Sequence, residues 1–176
     1  NAGHEVVILK EEDDGFECIP ILKRGLGVIF SAIRIKKFIK DCDIVHALDG
    51  YPFGVIAWLA SIDLDKKLII SVLGTYSVSP LYNRKISFLL KRAYKKTNRI
   101  VAISHYTEKE VLKKVGLNNI HVINPGIDLN KFYCERIETE EKFILSVGAL
   151  KFRKGYHISI PAFALAKKEM PELKYK

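Results

Sequence analysis

Glutamine is absent from this sequence, tryptophan and methionine occur once each, and cysteine occurs only three times. Cys18, Cys42 and Cys134 are far apart and form no CxxC pair, so neither a disulfide framework nor a thiolate zinc site is indicated. A reducing, cytoplasmic compartment is therefore expected. The lack of glutamine beside abundant Lys, Glu and Ile is a bias met in heat-adapted proteins. Long apolar runs are also missing. The longest, 54–62 (GVIAWLASI), is about half the ~20 residues that cross a bilayer, and the charged beginning is unlike a signal peptide. Neither GxGxxG nor GxxxxGK[ST] occurs, which argues against a dinucleotide oxidoreductase and a P-loop NTPase. HExxH, GxSxG and paired metal-ligand spacings are absent too, and His105, His121 and His157 show no ligand spacing, so no metal site is expected.

What is present describes a chain that folds. It has 176 residues, 48% of them hydrophobic and 28% charged, which excludes collagen-like, low-complexity and disordered readings. Lys and Arg total 29 against 20 Asp and Glu; the net charge of +9 favours anionic partners such as phosphorylated small molecules, acidic lipid or nucleic acid. Short β-branched runs alternate with longer segments of helical period, the pattern of βα units and a parallel sheet. Strands are predicted at 5–9 (EVVIL), 43–46 (DIVH), 68–72 (LIISV), 99–103 (RIVAI), 120–123 (IHVI) and 143–147 (FILSV). Helices are predicted at 27–40, from Pro52 to Ser61, at 81–96, near Thr107 and Glu110, where Ser104 competes for the cap, and at 155–169. The expected fold is α/β, a Rossmann-like parallel sheet with helices on both faces. Composition divides the chain into a domain at 1–123, a linker at 124–141 and a strand and helix at 142–176, too little to bury a core alone. The segment NAGHEVVIL reads as a helix end, a glycine turn and a strand, so a first strand and most of a first helix are expected to lie outside the sequence.

Taken in order, the motifs resemble glycosyltransferase family 4, retaining enzymes with two Rossmann-like domains facing across a cleft, the GT-B fold. AGHEVVIL resembles the family's RGHEV strand, DIVHALDGYPFGVIAWLAS its D-[IV]-[IV]-H-x-H segment, and LIISVLGTY its strand ending in HGT. RIVAIS resembles the A-D-x-[IV]-[IV]-A-x-S strand, VINPGIDLNKF the hinge, and ILSVGALKFRKGYHISIPAFALAKKEMPELK the start of the nucleotide-sugar domain. The resemblance implies a hexosyltransferase using a nucleotide-sugar donor and a saccharide or glycolipid acceptor, with no cofactor and no essential metal. The family's E-x7-E pair belongs to a part of the enzyme beyond LKYK, so the chain by itself is expected to be inactive. Gly148, Arg153 and Lys154 match the region that binds the donor diphosphate, whose developing charge calls for fixed cations and helix N–H groups.

At strand ends, where open α/β sheets bind ligands, His46, Asp49, Gly74, Thr75 and Ser104 are the acceptor or cleft candidates; the catalytic residue is left unassigned. Each has a plainer role available: a core histidine for His46, helix caps for Asp49 and Ser104, and a turn for Gly74. Leu73 and Leu48 stand where the family has histidines, and Ala149 where many members have arginine, which keeps open a non-catalytic binding or scaffold protein on the same fold. Residues 84–99 (RKISFLLKRAYKKTNR) carry seven basic residues and no acid among apolar ones, the pattern of a helix that docks on an anionic membrane at its inner face, or of a solvated helix packed on the sheet. No RNP or zinc-finger signature accompanies the charge, so nucleic acid is disfavoured. An absent internal strand leaves its neighbours unpartnered, and self-association is expected of the chain.

Overall fold

A computed structural model describes residues 3–11, 19–20, 27–133 and 141–176. Cys18, Cys134 and most of the predicted linker's C-terminal half, 134–140, lie outside the described residues. The chain divides into two compact units, Asn1–Gly126 and Ile127–Lys176.

In the first unit, β1 (Leu9–Lys10) pairs in parallel with β2 (Ile19–Pro20). Helix α1 (Val28–Ile39) follows, and then β3 (Ile44–Leu48) leads through a tight turn at Gly50–Gly54 into α2 (Val55–Ala60). Next come β4 (Lys67–Val72), the single turn α3 (Thr75–Val78), α4 (Arg84–Lys96), β5 (Arg99–Ala102), α5 (His105–Leu112) and β6 (Ile120–Val122). The sheet runs β3-β4-β5-β6, every pair parallel. This is the α/β, Rossmann-like class, a parallel sheet flanked by helices.

The connections all advance in one direction along the sheet, from β3 to β6. Val45, Ala47, Leu68, Ile70, Val72, Ile100 and Ala102 form the core with Val55, Ala57 and Ala60 of α2, Leu90, Ala93 and Tyr94 of α4, and Val111 and Val115 at α5 and just beyond it. Completely burying one of the Val, Leu or Ile side chains among them contributes about 1.5–3 kcal/mol. Packing is uneven: β3 alternates, with Val45 and Ala47 buried but Ile44, His46 and Leu48 exposed on the opposite side.

Several boundaries differ from the sequence reading. The strand expected at 5–9 reduces to Leu9–Lys10: Val6, Val7 and Ile8 are exposed, and among the described residues only Ile8 of the three bonds to β2, its carbonyl accepting from the Ile19 amide at 2.8 Å. Pro52 does not open a helix to Ser61; it lies in the turn before α2, which spans only Val55–Ala60. The helix expected at 81–96 begins at Arg84, where the Asn83 side chain accepts from the Lys85 amide, and Ser79–Tyr82 forms a separate 3-10 turn. Thr107 is not a cap: Ser104 caps α5 by accepting from the Thr107 amide at 3.2 Å.

The second unit contains α6 (Leu129–Phe132), β7 (Phe143–Ile144), a 3-10 turn at Phe152–Lys154, α7 (Tyr156–Glu169) and β8 (Lys174–Tyr175). β7 is shorter than the predicted 143–147 and pairs in parallel with β8, an element the sequence pattern did not reveal. Glu141 pairs with Lys174 and Lys176, which draws its carboxyl pKa down to about 2. Among the described residues no helix is long and apolar enough to cross a membrane.

Gly50 sets the closest approach in the first unit. A Cβ there would collide with the Tyr94 hydroxyl and stand 3.1 Å from the Ser77 Cα. Gly50→Ala is expected to cost about 1–3 kcal/mol in chemical denaturation through overpacking. Combining it with Tyr94→Phe, which removes the colliding oxygen, should cost less than the sum of the two single changes. Strict additivity would mean that the clash is not the source.

Candidate active site at the carboxyl edge of the sheet

The polar groups of the first unit gather where β3 and β4 end. β3 delivers His46 on its exposed side, and register places Leu48 beside Ser71 of β4. The His46 imidazole Nε2 shares a 2.8 Å hydrogen bond with the Ser71 hydroxyl. The Ser71 carbonyl, in turn, accepts from the Asp49 amide at 2.9 Å. One serine thus fixes both candidates.

Asp49 has φ 89°, a left-handed backbone that costs a non-glycine residue of order 1–3 kcal/mol and needs surrounding contacts to persist. Those contacts are present. The Gly50 amide donates to Asp49 Oδ1 at 3.1 Å and to the Ser77 hydroxyl at 2.9 Å; the Ser77 hydroxyl donates to the same Asp49 oxygen. The Tyr94 hydroxyl donates to the Ser77 carbonyl at 2.8 Å. Ser77 and Tyr94 are both fully buried. Burial holds the Tyr94 phenol far above its ordinary pKa, so it remains a donor throughout the physiological range. Asp49, a cap candidate for the helix after Pro52, caps the turn at Gly50–Gly54 by accepting from the Gly50 amide; it does not reach α2, which has no side-chain cap. Its carboxylate joins the β3 loop to α3 instead.

The other candidates separate. Gly74 has φ 139°, a conformation that favours glycine, and precedes α3 as a turn residue. Thr75 beside it is exposed with Leu73 and Tyr76. Ser104, at the end of β5, spends its hydroxyl on α5 and on Thr107 Oγ1 at 3.1 Å. In the second unit, Gly148 accepts from the Tyr156 hydroxyl at 3.1 Å, and the Lys154 side chain runs alongside it. Arg153 and Lys154 lie in the 3-10 turn, one residue short of α7, separated from it by Gly155 at φ 78°. Both cations are exposed.

Ser71, Ser77 and Tyr94 were not anticipated as site residues. Tyr94 carries a readable signal, its place at i+4 from Leu90 on the buried stripe of α4. Ser77 carries none, because its partners are remote in sequence.

The parallel α/β sheet is Rossmann-like, and its candidate polar groups lie at the carboxyl edge, where open sheets of this class bind ligands. Residues 1–131 match the family model described as Glycosyltransferase Family 4, and the chain belongs to that family. No curated protein matches the chain.

His46 ties this site to pH. Although His46 lies on the exposed side of β3, partial desolvation of its ring lowers the pKa below 6.5, so the fold prefers the neutral ring. The unfolded chain binds more protons in the window from 6.5 down to the depressed value. The contribution is complete above 6.5 and is lost as pH falls through that window. Urea denaturation should show the wild type losing more stability on acidification through this range than His46→Gln; parallel losses would contradict the assignment.

Proposed function

We propose that this chain serves the transfer of a hexose from a nucleotide sugar to a saccharide or lipid-linked acceptor, with configuration retained. The first unit contributes the acceptor side, and the observation that carries this is the family match over residues 1–131 on a domain whose polar groups lie at the sheet's carboxyl edge. His46, Asp49 and Thr75 offer a neutral imidazole, a carboxylate and a hydroxyl, groups suited to a sugar's hydroxyls. On the donor side, Arg153, Lys154 and the first-turn N–H groups of α7 neutralise the leaving diphosphate without a metal.

The exposed side of α4 supports a cytoplasmic enzyme working at an anionic membrane. Leu90, Ala93 and Tyr94 face the core, whereas Arg84, Lys85, Phe88, Arg92, Lys95 and Lys96 are exposed, and the Arg92 guanidinium lies 5.6 Å from the Phe88 ring centre. Phe88 supplies an apolar wedge amid cations, the composition of a surface-binding helix. Sedimentation with phosphatidylglycerol vesicles but not phosphatidylcholine vesicles, weakened by salt, is the expected result; equal binding to both would remove the electrostatic basis.

The exposure of Leu73 at the end of β4, where the family resemblance calls for histidine, favours a second reading as a binding protein without turnover. Thermal shift with UDP-, GDP- and ADP-hexoses tests the donor assignment common to the two readings. A ligand present at a hundred times its dissociation constant stabilises the native state by ~2.7 kcal/mol. One nucleotide class should raise the melting temperature, and Lys154→Ala should abolish the rise. Failure of all three classes would overturn donor binding by this chain.

A further inference from the structure

Asp49 is half-buried and presents one fixed oxygen and one free of protein partners. Among the described residues its side-chain hydrogen bonds all go to Oδ1, and since no unpartnered side-chain oxygen is fully buried there, Oδ2 keeps some access to solvent. The fixed side is secured by groups removed from ligand: Ser77 and Tyr94 are fully buried, and Tyr94 reaches Ser77 across 17 residues of sequence. A carboxylate oriented in this way accepts from a hydroxyl and repels an anion. Each group hydrogen-bonded to it at this strand end is neutral.

We propose that Ser77 and Tyr94 are positioning residues that aim the open oxygen of Asp49 at a hydroxyl of a neutral saccharide acceptor. The proposal rests on the reading of this unit as the acceptor side. It narrows that reading: the acceptor's end at Asp49 is an uncharged polyol and not a phosphate. It also divides the labour at the loop. Asp49 touches the acceptor, while Ser77 sets the rotamer of its carboxylate and Tyr94 sets the position of Ser77.

The test uses the whole chain, a glycan array of neutral and phosphorylated oligosaccharides, and amide NMR of the wild type, Tyr94→Phe, Ser77→Ala and Asp49→Asn. Tyr94→Phe keeps the ring and removes only the donor; Ser77→Ala provides a second, smaller change should the first disturb the core. Wild-type binding to neutral glycans is expected, weakened about tenfold in Tyr94→Phe and Ser77→Ala and at least as much in Asp49→Asn, as for the loss of a hydrogen bond to a charged group. The Gly50 amide resonance should move in the first two variants while the core resonances of α4 and β4 stay in place. An unmoved Gly50 resonance in both would overturn the positioning role whatever the array shows. Neutral-glycan binding that is unchanged in the Tyr94 and Ser77 variants would do the same. Wild-type binding confined to phosphorylated glycans would overturn the neutral acceptor, and no wild-type binding to any glycan would overturn the acceptor reading itself.

Discussion

The hydrogen bond from the Tyr94 hydroxyl to the Ser77 carbonyl holds together the corner of this protein that carries the candidate site. It joins the helix before β5 to the turn after β4, and the Ser77 hydroxyl extends the link to the loop after β3, three elements that the chain connects only distantly. A buried phenol needs a partner, because an unsatisfied hydroxyl in the core costs several times what a satisfied one contributes. Tyr94 has a single partner among the described residues, and that partner's hydroxyl fixes the Asp49 carboxylate. Core packing and site geometry are therefore one constraint. Leu90 and Ala93 seat α4 on the sheet, and seating α4 places the hydroxyl that orders the loop.

The strained backbone at Asp49 has the same origin. A left-handed aspartate persists where its amide, its carboxylate and the next amide are all engaged, and here Ser71, Gly50 and Ser77 engage them. Gly50 is required because the hydroxyl that organises the loop occupies the space a side chain would take. Strain, close approach and buried donor thus form a single device at the carboxyl edge of the sheet, the edge where parallel α/β domains meet their ligands.

Much of this was readable in the sequence. The apolar β-branched runs marked β3, β4, β5 and β6, and the apolar residues among the bases of 84–99 marked an amphipathic helix at α4, because those signals come from local period. His46, Asp49, Gly74 and Thr75 were legible as strand-end residues, and the ordered motifs named the family that residues 1–131 match. The short strand at Val6, Val7 and Ile8 was overestimated because propensity does not set pairing, and among the described residues only Ile8 of the three bonds to β2. Pro52 looked like a first-turn proline, yet contacts from Ser71 and Ser77 to the Asp49–Gly50 corner set the local course of the chain and delay α2 to Val55. Ser77 was invisible for the same reason: its role is defined wholly by atoms remote in sequence, and single-chain patterns record none of them.

Hydrogen exchange at the Gly50 amide tests the central claim most directly. This amide lies in a turn outside regular secondary structure, where exchange through local fluctuations is ordinarily fast. If the Tyr94–Ser77–Asp49 chain of bonds governs the loop, Gly50 will exchange as slowly as the core amides of β4 and α4, through the same cooperative opening. Exchange at the rate of a free loop, with the core still protected, would show that the loop moves independently of Tyr94 and would contradict the account.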